Sequence, residues 1–133
     1  MTPINRTQPL PRQATGHYTL DEILSQPQAW TAAMEVMQEN APAIQGMART
    51  QDYTGVVFTG CGSTYYLSLA AAALFQELTS LPARGLPASE IWLYPRSSYI
   101  SSSRTLLVAV SRSGETTETL RACEAFARNG GGD

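Results

Sequence analysis

Two short runs of the chain are apolar without alternation: GVVFT over Gly55–Thr59 and TLLVAV over Thr105–Val110. Continuous runs of this kind suit parallel strands covered on both faces, whereas a half-exposed strand alternates. A shorter run, Ala83–Leu86, reads as another strand. The pattern between and after them changes to a helical period. Thr64–Leu81 places Leu67, Ala71, Leu74, Leu78 and Leu81 on one face, and Ala70–Ala73 permits close packing on a sheet. Pro82 ends that helix. A brief helix near Ala88–Tyr94, a polar loop over Arg96–Arg104 and a last helix over Thr116–Arg128 complete the series. The last helix is apolar at Leu120, Cys123 and Ala127, and Asn129–Gly132 supplies a left-handed stop.

Upstream of the first strand the pattern is helical only. Thr19 and Glu22 have capping-box spacing, with Tyr18 and Ile23 as a hydrophobic staple. Trp30, Ala33, Met34 and Met37 form a helical stripe that reads as core. Pro27 is expected to stop or kink the chain and Pro42 to start a further helix, giving a pair or triplet of helices. The expected organisation is a flexible Pro-rich arm over 1–16, a helical lead-in over 17–52, and an α/β region over 53–133. Strands alternating with helices imply right-handed βαβ units and a parallel sheet in three layers.

Each long apolar run ends in a turn rich in glycine and hydroxyls. The first offers Gly60, Gly62, Ser63 and Thr64; the second offers Ser111, Ser113, Gly114 and Thr116. Ligands of open parallel sheets bind beyond the carboxyl ends of the strands. Glycine lets a ligand approach the backbone. A helix N-terminus favours an anion through its unpaired N–H groups and its dipole. Two such turns side by side would converge on one small anion, most simply a phosphate. The competing reading is that these hydroxyls are helix caps. The first turn lacks GK[ST], so it is no P-loop. Tyr65 stands where a dinucleotide fingerprint has its third glycine, which disfavours a nicotinamide or flavin cofactor.

Composition narrows the partners. The 133 residues are 43% hydrophobic and 15% charged, with net charge −2, enough for a packed core in one domain. Every basic residue is Arg, without a cluster or stripe, so nucleic acid is a poor partner. No apolar window reaches membrane-spanning length and no secretory h-region opens the chain. Two cysteines, Cys61 and Cys123, suggest a reduced, cytoplasmic setting without disulfides. His17 is the only histidine, and a lone His makes no metal site. No cofactor is expected.

GCGSTYYLSLAAA, then LPASE, then SRSGETTETL resemble the N-terminal half of a sugar isomerase (SIS) domain. EILSQP resembles the helical lead-in to the isomerase half of glutamine–fructose-6-phosphate aminotransferases. The resemblance runs from about Leu20 to Arg128 and implies a flavodoxin-like sheet whose two turns bind a phosphosugar, such as fructose 6-phosphate or glucosamine 6-phosphate. It implies that Thr64, Ser111, Ser113 and Thr116 hold phosphate by hydroxyl. Ser63 and Arg112 would help through backbone or side chain, and Gly60, Gly62 and Gly114 would allow backbone approach. Two positions depart from the usual pattern: Arg112 replaces Gln, and Ser63-Thr64 reverses the usual Thr-Ser. Arg112 either strengthens phosphate binding or lies on the surface.

The family's sheet has five strands and this chain supplies at most three, so a fragment of a longer protein, or a homo-oligomer covering the bare Thr105–Val110 edge, is expected. The family's acid and base lie downstream of the region matched, and its glutaminase half has no counterpart here. Local candidates are thin. Glu115 is a weak one beside the phosphate turns, and Glu90 a weaker one. Cys61 near a helix N-terminus reads as a buried filler more readily than as a reactive thiol. Three readings follow: part of a phosphosugar isomerase or amino-sugar-phosphate aminotransferase or deaminase, a non-catalytic phosphosugar sensor, or a truncated SIS remnant serving as an interaction module with an empty site. The lead-in lacks a basic recognition helix, which weighs against a transcription regulator.

Overall fold

The computed structural model describes residues 17–50, 52–98 and 104–129. The proposed arm, part of the polar loop and the Gly130–Gly132 stop lie outside them. The chain divides into two compact units, Met1–Gly46 and Met47–Asp133.

One helix, α1 (His17–Thr50), stands where two or three were expected, and all but its last four residues belong to the first unit. Both Pro27 and Pro42 lie inside it. An interior proline costs a helix about 3 kcal/mol through a lost hydrogen bond and a ring clash. Here the helix is exposed around both, so water can take up the carbonyls of Ile23 and Gln38 that lose their partners. Side chains reinforce the neighbourhood: the Thr31 hydroxyl donates to the Pro27 carbonyl at 3.0 Å and the Asn40 amide to the Val36 carbonyl at 2.8 Å. Because α1 begins at His17, Thr19 falls within its first turn and is not its cap. The Trp30–Met34–Met37 stripe, read as core, is exposed.

The second unit is a three-layer α/β fold. Its elements are β1 (Gly55–Gly60), α2 (Ser63–Thr79), β2 (Ala83–Pro87), α3 (Ala88–Leu93), α4 (Pro95–Ser98), β3 (Thr105–Ala109) and α5 (Thr117–Arg128). The sheet is parallel, in the order β2-β1-β3. Alternate residues of the strands serve opposite faces. Val56 and Phe58 pack with Ala72 of α2; Val57 and Leu86 pack with Ala88, Ile91, Ala122 and Phe126 of α3 and α5. Central β1 is therefore covered on both sides, and this is why its sequence shows no alternation. The Thr59 hydroxyl, fully buried, donates to the Leu86 carbonyl at 2.9 Å and ties β1 to β2. Arg121 of α5 stacks 4.4 Å from the Trp92 ring centre of α3.

Both main helices turn a different face to the sheet from the one the leucine pattern suggests. On α2 the buried residues are Ser68 and Ala72, while Leu67, Leu74 and Leu78 are exposed at 58%, 61% and 74%. Gly85 explains the swap. A Cβ built there would lie 2.8 Å from the Leu69 Cα and 2.9 Å from its backbone N. The helix backbone rides close to β2 at Leu69, while Ala71, Ala72 and Phe75 pack against Val56 and Phe58 of β1. On α5 the buried residues are Thr119, Ala122, Ala125 and Phe126. Leu120 and Ala127 are exposed and Cys123 is half-buried. That partial burial pushes the Cys123 thiol pKa up. The α2 helix ends on Ser80 at φ 59°, a left-handed cap just ahead of Pro82. Asn129, by contrast, follows α5 at φ −94°, so the expected left-handed stop does not begin there.

Candidate functional site

In the order β2-β1-β3, the chain leaves β1 towards β2 on one side and later returns to β3 on the other. The strand order therefore reverses between β1 and β3. Crevices outside the carboxyl ends of strands at such a switch point are where open α/β sheets bind ligands. The two glycine-and-hydroxyl turns are the segments that leave β1 and β3 at this point.

They share one cavity of about 410 Å³, within the range of small-molecule sites. Cys61, Ser63 and Thr64 line it from the first turn, and Ser111, Arg112, Ser113 and Thr116 from the second. The four residues expected to hold phosphate by hydroxyl, and Ser63 and Arg112 expected to help them, thus line one cavity. Arg112 is the one charged residue among these liners. The Val110 N–H donates to the Thr59 carbonyl at 2.7 Å, which fixes the start of the second turn against the end of β1.

The first turn is tight. A Cβ at Gly60 would lie 2.6 Å from the Thr64 carbonyl carbon and its Oγ1, so the missing side chain makes room for the start of α2. Gly62 follows at φ 60°, a conformation that favours glycine, and no side chain caps the helix there. The Cys61 N–H donates to Thr64 Oγ1 at 3.0 Å, and the Thr64 hydroxyl donates to the Cys61 carbonyl at 3.0 Å. Thr64 thus braces the turn with its own proton. Ser63 is exposed at the first position of α2.

The second turn is more open. The Gly114 N–H donates to Ser111 Oγ and the Glu115 N–H to Ser113 Oγ, each at 3.1 Å. Each serine accepts in these bonds and keeps its own O–H as a donor. Gly114 sits at φ 72°. Thr116 is the N-cap residue of α5 but makes no side-chain cap bond. In neither helix, then, does a side chain cap the N-terminus, and the first N–H groups of both are left to other acceptors.

Other candidates fall differently. Glu115 is exposed next to the second turn but does not line the cavity. Glu90 lines another cavity, about 400 Å³, with Ser89, Tyr94 and Ser97 of the α3–α4 segment. Cys61 is exposed and not a buried filler, because it sits on the rim of the turn, past the last buried residue of β1. The sequence alone gave it no lining role; its position between two turn glycines was the available signal. The His17 side chain lies outside the described residues. Among the described residues, no group of three or more His, Cys, Asp and Glu could hold a metal, and no helix is long and apolar enough to cross a membrane.

Comparison with known proteins agrees with this architecture. The SIS domain family model matches residues 52–133. Glutamine–fructose-6-phosphate aminotransferase [isomerizing] of Methanothermobacter thermautotrophicus is 30% identical over 109 residues, 82% of this chain and 18% of that protein. The enzyme of the same name from Pyrococcus horikoshii is 32% identical over 108 residues, 80% of this chain and 17% of that protein. The chain therefore spans under a fifth of the length of these relatives. Among solved structures, tagatose-6-phosphate ketose/aldose isomerase from Escherichia coli superposes with a TM-score of 0.78 at 21% identity, over 90% of this chain and 34% of that one. That likeness concerns the fold. Sheet order, paired turns and family match together place the chain in the SIS domain family.

Proposed function

We propose that the two turns bind the phosphate of a phosphosugar such as fructose 6-phosphate or glucosamine 6-phosphate. The chain would do so as part of a sugar-phosphate isomerase or an amino-sugar-phosphate aminotransferase or deaminase. One observation carries the reading: Ser63, Thr64, Ser111, Arg112, Ser113 and Thr116, from two segments about fifty residues apart, line a single cavity at the strand switch point. Ser111, Ser113 and Thr116 offer hydroxyl protons, and the starts of α2 and α5 offer N–H groups and dipoles. Arg112 adds the positive charge. Thr64 braces the first turn and joins the phosphate only on releasing the Cys61 carbonyl. Relatives that act on fructose 6-phosphate or tagatose 6-phosphate by name support the class of ligand.

A second reading, phosphosugar sensing without catalysis, rests on a specific feature. Among the described residues, the cavity lining holds no carboxylate and no imidazole. Isomerisation needs a base beside the carbonyl, so that group would have to come from outside these residues. In both readings the protein works in a reducing cytoplasm, in keeping with two free cysteines. Calorimetric titration with fructose 6-phosphate and glucosamine 6-phosphate tests the binding, and proton exchange at the sugar's second carbon separates the readings. Binding that a Ser111→Ala/Ser113→Ala variant leaves unchanged would refute both.

A further inference from the structure

The two turns, read as a phosphate site, leave open which ionic form of the phosphate they hold. The direction of the hydrogen bonds around the cavity bears on this. A sugar phosphate near neutral pH exists in two forms, because its second proton leaves with a pKa of about 6. The singly charged form keeps a P–OH, which must donate to something. The doubly charged form only accepts. Of the hydroxyls lining the cavity, those of Ser63, Ser111, Ser113 and Thr116 donate to no protein acceptor among the described residues. The oxygens of Ser111 and Ser113 already accept backbone N–H groups, and so does Thr64 Oγ1. Arg112 brings the one full charge, and a guanidinium has donors and no acceptor.

Acceptors are correspondingly scarce. Among the described residues, no carboxylate or imidazole of the lining could take the P–OH proton. The strands β1 and β3 carry no titratable side chain. Around the first turn and the start of α2 the titratable groups are Cys61 and Tyr65. Only the thiol lines the cavity, and a thiol is a weak acceptor. Glu115 and Glu118, around the start of α5, do not line it. A hydroxyl that turned its lone pair to a P–OH would withdraw its own proton from the phosphate, and one donor bond would be lost. We infer that the cavity selects the doubly ionised phosphate monoester, against both its singly protonated form and the sulfate ester of the same sugar. This selection rests on the phosphate reading proposed above and adds to it the charge state of the ligand. A sulfate ester has the same tetrahedral head but only one negative charge, so its bonds to the same donors are weaker.

Phosphorus NMR of glucosamine 6-phosphate, with the full chain in excess, tests this, because the phosphorus shift reports the protonation of the ester. At about pH 6 the free ligand is about half protonated, and the bound resonance should already sit at the dianion position. Between about pH 6 and about pH 8 the free resonance should move and the bound one should stay. Calorimetry at about pH 7.5 supplies a second readout: glucosamine 6-sulfate should bind at least about tenfold more weakly than glucosamine 6-phosphate. Neither measurement needs a variant to fold. A bound resonance that follows the titration of the free ligand, or a sulfate ester that binds as tightly as the phosphate, would overturn the inference and leave the phosphate site standing. No saturable binding of glucosamine 6-phosphate at any of these pH values would remove the site itself, and the inference with it.

Discussion

The two turns look alike in sequence and differ in what their hydroxyls do. In the first, Thr64 both accepts from and donates to Cys61, and Gly60 has its side-chain space filled by Thr64 itself. In the second, Ser111 and Ser113 only accept, from the backbone of Gly114 and Glu115. The first turn is a frame that sets where α2 begins. The second presents donors to the cavity. Similar composition thus divides into a turn braced by its own hydroxyl and one whose serine protons are left for the phosphate proposed above.

Substitutions can break that contrast. The largest effect should come from the frame. Gly60→Ala forces a Cβ to within 2.6 Å of the Thr64 backbone, so we expect a stability loss of about 3 kcal/mol in denaturant unfolding, with the start of α2 displaced. On the contact side, Ser111→Ala/Ser113→Ala should keep parent-like stability and weaken fructose 6-phosphate binding about 100-fold by calorimetry, since hydrogen bonds to a charged group are worth about 1.5–3 kcal/mol each. Arg112→Gln, at an exposed cation, should cost about threefold in affinity and flatten the salt dependence of binding. Thr119→Val lies outside the contrast and calibrates it. The Thr119 Oγ1 is buried without a hydrogen-bond partner among the described residues, so its removal should be neutral or stabilising by up to about 1 kcal/mol in the same unfolding assay. The smallest effect concerns the thiols. Cys61 is exposed and Cys123 half-buried with a raised pKa, so iodoacetamide followed by peptide mass mapping should label Cys61 first. A raised thiol pKa means the folded state holds that proton more tightly. Cys123 therefore costs no stability below the unfolded thiol's pKa and lowers it as pH rises beyond.

The strands and turns were legible in the sequence because their signals are local. An unbroken apolar run such as Val56–Phe58 has one reading once it is bounded by glycine and hydroxyl residues. Parallel pairing in the order β2-β1-β3 and the cavity at the switch point fit what those runs imply. The helix faces were not legible in the same way. Leu67, Leu74 and Leu78 make the stronger pattern on α2, yet Gly85 of the next strand lets the helix backbone approach at Leu69, and Ser68, Ala72 and Phe75 turn inward. A hydrophobic period within one helix cannot report how closely the neighbouring strand lets it approach. The prolines of α1 misled for the opposite reason. Their local penalty is real, but it does not by itself end a helix whose freed carbonyls have access to water. Cys61 was hidden by a compositional habit, since free cysteines are usually buried.

The most direct test is amide chemical-shift mapping of the isotope-labelled chain during titration with fructose 6-phosphate, with inorganic phosphate as a second titrant. The account calls for saturable shifts of the Cys61–Thr64 and Ser111–Thr116 amides with both. Shifts that gather instead around Ser89, Glu90 and Tyr94, or no saturable shift at either turn, would contradict it.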